Sequence, residues 1–139
     1  MAYWLLKSEP STYSIAHMQK DKRTFWDGVR NYQARNNLRA MKCGDLCLFY
    51  HSVVNPGIVG IVEVVKEAYQ DPTTTDSAWV AVDVEYKATF PKPVFLEDIK
   101  KIPALANMVL LKSSRLSVQP VSSKEFETII KVGGLENFK

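Results

Sequence analysis

Leu46-Cys47-Leu48-Phe49-Tyr50-His51-Ser52-Val53-Val54-Asn55-Pro56-Gly57-Ile58-Val59-Gly60-Ile61-Val62-Glu63-Val64-Val65 holds two apolar runs on either side of one turn. The run from Leu46 to Tyr50 is continuous, as a central strand covered on both faces must be. Asn55-Pro56-Gly57 is a turn signal. Beyond it, Ile58 to Val65 resumes with apolar residues on both faces, so a second strand is expected there. Gly60 inside that run predicts a bulge or a close backbone approach.

Outward from this pair, the remaining elements follow from local grammar. Tyr3-Trp4-Leu5-Leu6 reads as a first strand ending at Lys7-Ser8-Glu9-Pro10. Ser11 is the expected cap of a short helix that turns Ile15 and Met18 inward. Asn31 is the expected cap of a second helix, on which Ala34, Leu38 and Met41 recur at helical spacing and which should stop near Cys43-Gly44-Asp45. Val80, Val82, Val84 and Tyr86 alternate with Ala81, Asp83 and Glu85, the pattern of a strand apolar on one side, with Pro91 and Pro93 ending it. A short helix around Leu96 to Ile102 and a last β element, Leu116 to Val121, come next. Ser122-Ser123-Lys124-Glu125 is a capping box, after which Phe126, Ile129 and Ile130 line one helix face and Gly133-Gly134 stops it. Strands are not separated regularly by crossover helices, so a doubly wound parallel sheet is excluded. The pattern predicts an α/β (α+β) mixture: an antiparallel or mixed curved sheet, partly closed as a barrel, with helices across its openings.

The chain of 139 residues suits one domain, 1–139, whose core needs no staples. No run approaches the roughly 18 apolar residues of a membrane span. The first ten residues are too short and too soon charged for a signal peptide, so a cytoplasmic protein, or a nuclear one, is expected. Cys43, Cys47, His17 and His51 are too scattered for a zinc site, and two buried or half-buried thiols are expected instead. Residues 1–50 carry eight Lys or Arg against four Asp or Glu, whereas residues 51–139 carry ten against eleven. The basic excess lies in the first third, as a surface facing a polyanion requires and as a solvated helix face also shows.

Phe25-Trp26-Asp27-Gly28-Val29-Arg30-Asn31-Tyr32-Gln33-Ala34-Arg35-Asn36 concentrates the chemistry. Two aromatics lead into an Asp-Gly turn, then an Arg, a capping Asn and a helix start that offers free N–H groups to an anion. Trp26 beside Asp27 supplies a stacking plane and a hydrogen-bond acceptor, the pair that holds an extruded base. Trp26 in the core, with Asp27 capping its own turn, fits equally. Arg30, Arg35 and Arg39 face a polyanion or water. Further polar clusters end the β segments: Ser8-Glu9, Tyr50-His51-Ser52, and Arg115-Ser117-Gln119 on one strand face. His51 and Ser52 point to opposite faces and make no nucleophile–base pair. No nucleophile elbow, phosphate-cradling glycine loop or His-Glu-x-x-His helix is present.

Taken together and in order, these pieces resemble the EVE domain family. The matching residues are Tyr3 to Pro10, Trp26 to Asn36, Gly44-Asp45, Phe49 to Ser52, Gly57 to Val64 and Arg115 to Val121, nearly the whole chain. The resemblance implies a PUA-like fold, a mixed, mostly antiparallel curved sheet forming a pseudo-barrel flanked by helices. It also implies recognition of a modified base, such as modified cytosine in DNA, flipped into a pocket, without catalysis. Carried onto this sequence, the pocket comprises Ser8, Glu9, Trp26, Asp27, Val29, Asn31, Tyr50, His51, Ser52, Ser117 and Gln119. Arg30, Arg35 and Arg115 would meet phosphates or close the rim. The implied partner is nucleic acid, DNA ahead of RNA, with no cofactor, membrane or obligate protein partner. An RNA reader, or an enzyme using Asp27 or Glu9 on a nucleotide or base, is the alternative. Asp71 to Ser77 and Lys87 to Asn107 match none of the family's motifs.

Overall fold

The computed structural model describes residues 1–135. Its strands are β1 (Tyr3–Ser8), β2 (Arg23–Trp26), β3 (Leu46–His51), β4 (Gly57–Gln70), β5 (Val80–Phe95) and β6 (Val118–Val121). Its helices are α1 (Ile15–Asp21), α2 (Tyr32–Ala40), α3 (Leu96–Ile99), α4 (Val109–Lys112) and α5 (Ser123–Val132), with a 3-10 turn at Pro103–Leu105. The strands form one sheet in the order β2-β5-β4-β3-β1-β6. Only β1 and β3 run parallel; the other neighbours are antiparallel. The expected barrel is not closed by strand pairing: β2 and β6 are edges, and α2 packs across β4, β5 and β6.

Both faces of this sheet are covered, so β3 from Leu46 to Tyr50 and β4 from Gly57 to Val62 are buried without interruption. Trp4, Leu6, Phe49, Val62, Val64, Val82 and Val84 form one core with Met18 of α1 and Ala34 and Leu38 of α2. Leu5, Leu48, Tyr50, Ile61 and Val94 form the other with Ile99, Leu105, Phe126, Ile129 and Ile130. Asn31 caps α2 by accepting from the Ala34 N–H at 2.9 Å, and Ser122 and Glu125 close the predicted capping box. The cap of α1 is Ser14, not Ser11: its hydroxyl accepts from the His17 N–H while His17 Nδ1 accepts from the Ser14 N–H. Cys47 is buried, and Cys43 is exposed rather than half-buried. Among the described residues, no helix is long and apolar enough to cross a membrane.

Three elements differ from their sequence reading. β2 is an additional four-residue edge strand, paired with β5 from Arg23↔Glu85 to Trp26↔Val82. α4 is one turn long, too short to leave a periodic pattern. Finally, β5 runs through Pro91 and Pro93. Thr89 pairs with Gly60 and Val94 with Ile58, so residues 90–93 bulge away from β4. Prolines are tolerated where no ladder N–H is required, and Lys92 between them donates instead to Gly133 O.

Gly60 sits at this irregularity, opposite Phe49 in β3. A Cβ there would lie 2.5 Å from Ala88 O and 2.6 Å from Ile15 Cδ1. Both expectations for this glycine, bulge and close approach, are met. Gly60→Ala is therefore expected to destabilise the fold by about 1–3 kcal/mol, read as a lower urea midpoint at unchanged slope; a midpoint equal to that of the unsubstituted protein would contradict the close approach.

Candidate functional site

A cleft of about 520 Å³ opens where β1 ends and β2 crosses the same side of the sheet, within the size range of small-molecule sites. Lys7, Ser8 and Glu9, the turn residues Thr12 and Tyr13, and Thr24, Phe25, Trp26 and Asp27 line it. The β1 wall is held by a turn in which Glu9 O accepts from the Thr12 and Tyr13 N–H groups, and the Ser8 hydroxyl donates to Tyr13 O. Trp26 meets the Tyr13 ring edge-on at 6.5 Å and the Phe49 ring at 5.6 Å, which fixes the indole's orientation. Burial and then the hydrogen bond to Asp21 push the Tyr13 phenol up to about 12, so it stays neutral at physiological pH. Aromatic surface and two carboxylate side chains, Glu9 and Asp27, therefore share one concavity.

What holds Trp26 and Asp27 there is Asp71, a residue for which the sequence suggested no role. Its side chain is fully buried. Oδ2 accepts from the Gly28 N–H at 2.9 Å and from Arg30 at 3.0 Å. Oδ1 accepts from the N–H and the hydroxyl of Thr73. Burial alone would raise this carboxyl, but the Thr73, Gly28 and Arg30 donors outweigh it and hold it at about 2. Gly28 adopts φ +75, which a side chain rarely tolerates, and so turns its N–H onto the carboxylate. Asp-Pro-Thr-Thr signals an Asx turn locally; nothing local signals that the second oxygen bonds a glycine 43 residues away.

Arg30 and Arg35 do not line this cleft; both are held at the start of α2. Arg30 bonds Asp71, Val29 O and Thr73, and its guanidinium lies 5.6 Å from the Trp79 ring centre. Arg35 donates to Ala78 O and to Asn36, and lies 5.0 Å from the Tyr32 ring, which itself packs on Trp79. Both clamp the α2 start to the β4–β5 loop. Arg115 is different. With Lys112, Asn31, Gln33, Ser113 and Ser114 it lines a second concavity of about 350 Å³. Among the described residues neither Arg115 nor Lys112 forms a salt bridge.

The other expected pocket residues do not line the cleft. Val29 is buried in the core beside α2. Tyr50 must face opposite to Phe49 by strand alternation, and it is buried in the second core with the Lys7 ammonium over its ring at 5.7 Å. His51 Nε2 accepts from the Ile15 N–H at 3.0 Å, and burial lowers its pKa, so it serves as a neutral cap for α1. The Ser52 N–H and hydroxyl both donate to Ser8 O. Ser117 O accepts from the Lys7 N–H. Gln119 pairs with Leu5, on the far face, and its amide donates to Leu116 O at 2.8 Å. These residues shape the walls from behind. Conversely, Lys7, Thr12, Tyr13, Thr24 and Phe25 line the cleft without having been named for the pocket; only the β-prone run Thr24-Phe25-Trp26 could have signalled the strand that brings two of them in.

Comparison with known proteins adds to this geometry. Residues 2–132 match the EVE domain. Thymocyte nuclear protein 1 of Gallus gallus is 40% identical, over 94% of this chain and 68% of its own length. A crystal structure of a protein from Agrobacterium tumefaciens superposes with a TM-score of 0.95 at 45% identity, covering 99% of this chain and 97% of that one. The crystal structure of human THYN1 in complex with 5-methylcytosine-containing DNA superposes with a TM-score of 0.90 at 35% identity, covering 96% and 98%.

The Asp71 bonds carry a signature in pH. A carboxyl lowered from 3.8 to about 2 stabilises the fold by at most about 2 kcal/mol above pH 4, and that contribution disappears as pH falls towards 2. Asp71→Asn should therefore unfold more easily than the unsubstituted protein at pH 7, with the gap shrinking below pH 4. A pH-independent gap in urea unfolding free energy would contradict the assignment.

Proposed function

This chain belongs to the EVE domain family, and we propose that it is a non-catalytic reader that takes one modified base of a nucleic acid into the cleft between Glu9 and Trp26. The observation that carries the reading is the pairing of Trp26 with Asp27 and Glu9 in one concavity, in a chain 35% identical to human THYN1, which has been crystallised with 5-methylcytosine-containing DNA. The chemistry supports it. Cytosine presents an exocyclic amino donor, which a carboxylate accepts; its ring stacks on an aromatic face, and a 5-methyl group gains apolar contact there. Drawing a base out of a duplex costs a few kcal/mol, and one stacking aromatic returns about 1–3 kcal/mol. Ser8, Glu9, Trp26 and Asp27 are the base-contacting residues in this reading, and Arg115 with Lys112 meets the backbone.

Glu9 and Asp27 in one cleft also suit acid–base chemistry on a base, and this is the second reading. Turnover of nucleosides or oligonucleotides that disappears in Asp27→Ala would establish it over binding.

Two measurements test the first reading. Matched DNA and RNA oligonucleotides carrying 5-methylcytosine or plain cytosine are titrated by fluorescence anisotropy. We expect preference for the methylated DNA, and an affinity for it reduced about 10- to 100-fold by Trp26→Ala, as loss of one stacking contact implies. Equal, weak binding to all oligonucleotides sinks the reading. Second, replacing both Lys112 and Arg115 with Ala should flatten the dependence of log affinity on log salt by about two phosphate contacts while leaving the methyl preference intact. An unchanged salt slope excludes these two side chains from the backbone contact.

A further inference from the structure

The loop between β3 and β4 carries an arrangement that folding does not explain. Val53 and Val54 are 73% and 63% exposed at its tip. Val53 has φ +72, and the Val54 N–H donates to Ser52 O at 2.9 Å, two residues back. That is a γ-turn of positive φ, a rare and strained conformation. A β-branched side chain is among the worst suited to it, and glycine would adopt it freely. Asn55 follows at φ +45, in keeping with the tolerance of asparagine there. A strained apolar residue held out in water is a reason to look for a function.

The loop is fixed at both ends. Ser52 donates its N–H to Ser8 O at 2.9 Å and its hydroxyl to the same oxygen. Pro56 O accepts from the Leu96 N–H at 2.9 Å. Ser8 is a wall of the cleft, so the tip begins one residue, about 3.8 Å of chain, beyond a group bonded to that wall. An apolar tip is thereby anchored beside the strand end that walls the concavity.

We propose that Val53 and Val54 form a wedge that enters the base stack beside the cleft and occupies the space left by the base drawn into it. This rests on the base-reading function above and adds the surface that makes extrusion from a duplex favourable. Extruding a base leaves an apolar gap between its neighbours. Nucleic-acid-bending proteins insert apolar side chains between base steps, and the same chemistry suits the gap an extruded base leaves. A protein partner suits the patch less well: a stable interface needs about 800 Å² on each side, and these two valines are flanked by Ser52 and Asn55. The bonds of Ser52 to Ser8 O and of Pro56 O to the Leu96 N–H fix the two ends of the wedge.

The test uses Val53→Gly combined with Val54→Ser. Glycine relieves the turn, so urea unfolding should show stability equal to the unsubstituted protein or higher, which separates the result from misfolding. Affinity is measured for a duplex with one 5-methylcytosine and for the same strand alone, with 2-aminopurine beside the modified base reporting unstacking. Expected is a roughly tenfold loss on the duplex, loss of the 2-aminopurine signal and unchanged single-strand affinity, since a single strand has no gap to fill. Equal loss on both polymers, or undiminished duplex binding, overturns the wedge. So does concentration-dependent self-association that the double variant abolishes, which would make the loop a protein contact. Failure of the base reading has a separate signature: Trp26→Ala then leaves both affinities unchanged.

Discussion

The buried carboxylate of Asp71 is the interaction on which the site depends. The segment after β2 has no regular structure between Trp26 and the cap of α2, so its own backbone bonds cannot hold it. Asp71 supplies what is missing by collecting donors from Gly28, Arg30 and Thr73 around one fully buried group. A buried charge is tolerated only when its lone pairs are met, and here four donors meet them. The result couples two loops more than forty residues apart. Trp26 and Asp27 come off the end of β2 into that anchored turn, and α2 starts on its other side.

The sheet sets the second constraint. Side chains on successive strand residues point to opposite faces, and both faces are covered here, so each residue at a strand end is assigned to one core or the other by parity. Phe49 and Trp26 share the face of the cleft; Tyr50 and Gln119 belong to the opposite one. Ser8 and Ser52 meet because β1 and β3 run parallel, with Ser8 opposite His51. The parallel pair thus brings two separate chain segments to the same end of the sheet, one bearing the cleft wall and the other the valine loop.

Much of this was legible in the sequence. Strands buried on both faces announce themselves as apolar runs, so β3 and β4 could be read directly, and the caps at Asn31 and Ser122 are written in residues three apart. Trp26 and Asp27 could be singled out because an aromatic stands beside a carboxylate at a turn, and Ser8 and Glu9 because polar residues end an apolar strand there. What could not be read depends on distant partners. The spacing of Arg30 and Arg35 suggests an exposed basic face, yet Asp71 and Ala78 O, far along the chain, take up their donors. Tyr50 and Gln119 were misplaced because the identity of a strand residue does not reveal which face its neighbours' parity assigns it. Pro91 and Pro93 stop a regular ladder but not a strand that bulges.

These commitments bear on what kind of reader the site can be. Arg30 and Arg35 clamp α2 to the β4–β5 loop, and Lys7, among the described residues the one Lys or Arg that lines the cleft, directs its ammonium to Ser114 O. Sequence-independent attraction to phosphate dominates most nucleic-acid binding, and the proposed reader would draw it mainly from Arg115 and Lys112 beside the second concavity. In the proposed reading, discrimination falls to the cleft itself, where an aromatic face and a carboxylate acceptor would meet one base. The wall that must do this is set before binding: the indole is packed against Tyr13 and Phe49 and the turn behind it is pinned at Asp71, so little ordering entropy is lost on contact. A weakly charged, preorganised cleft distinguishes bases by their edges and substituents more than by the backbone that carries them.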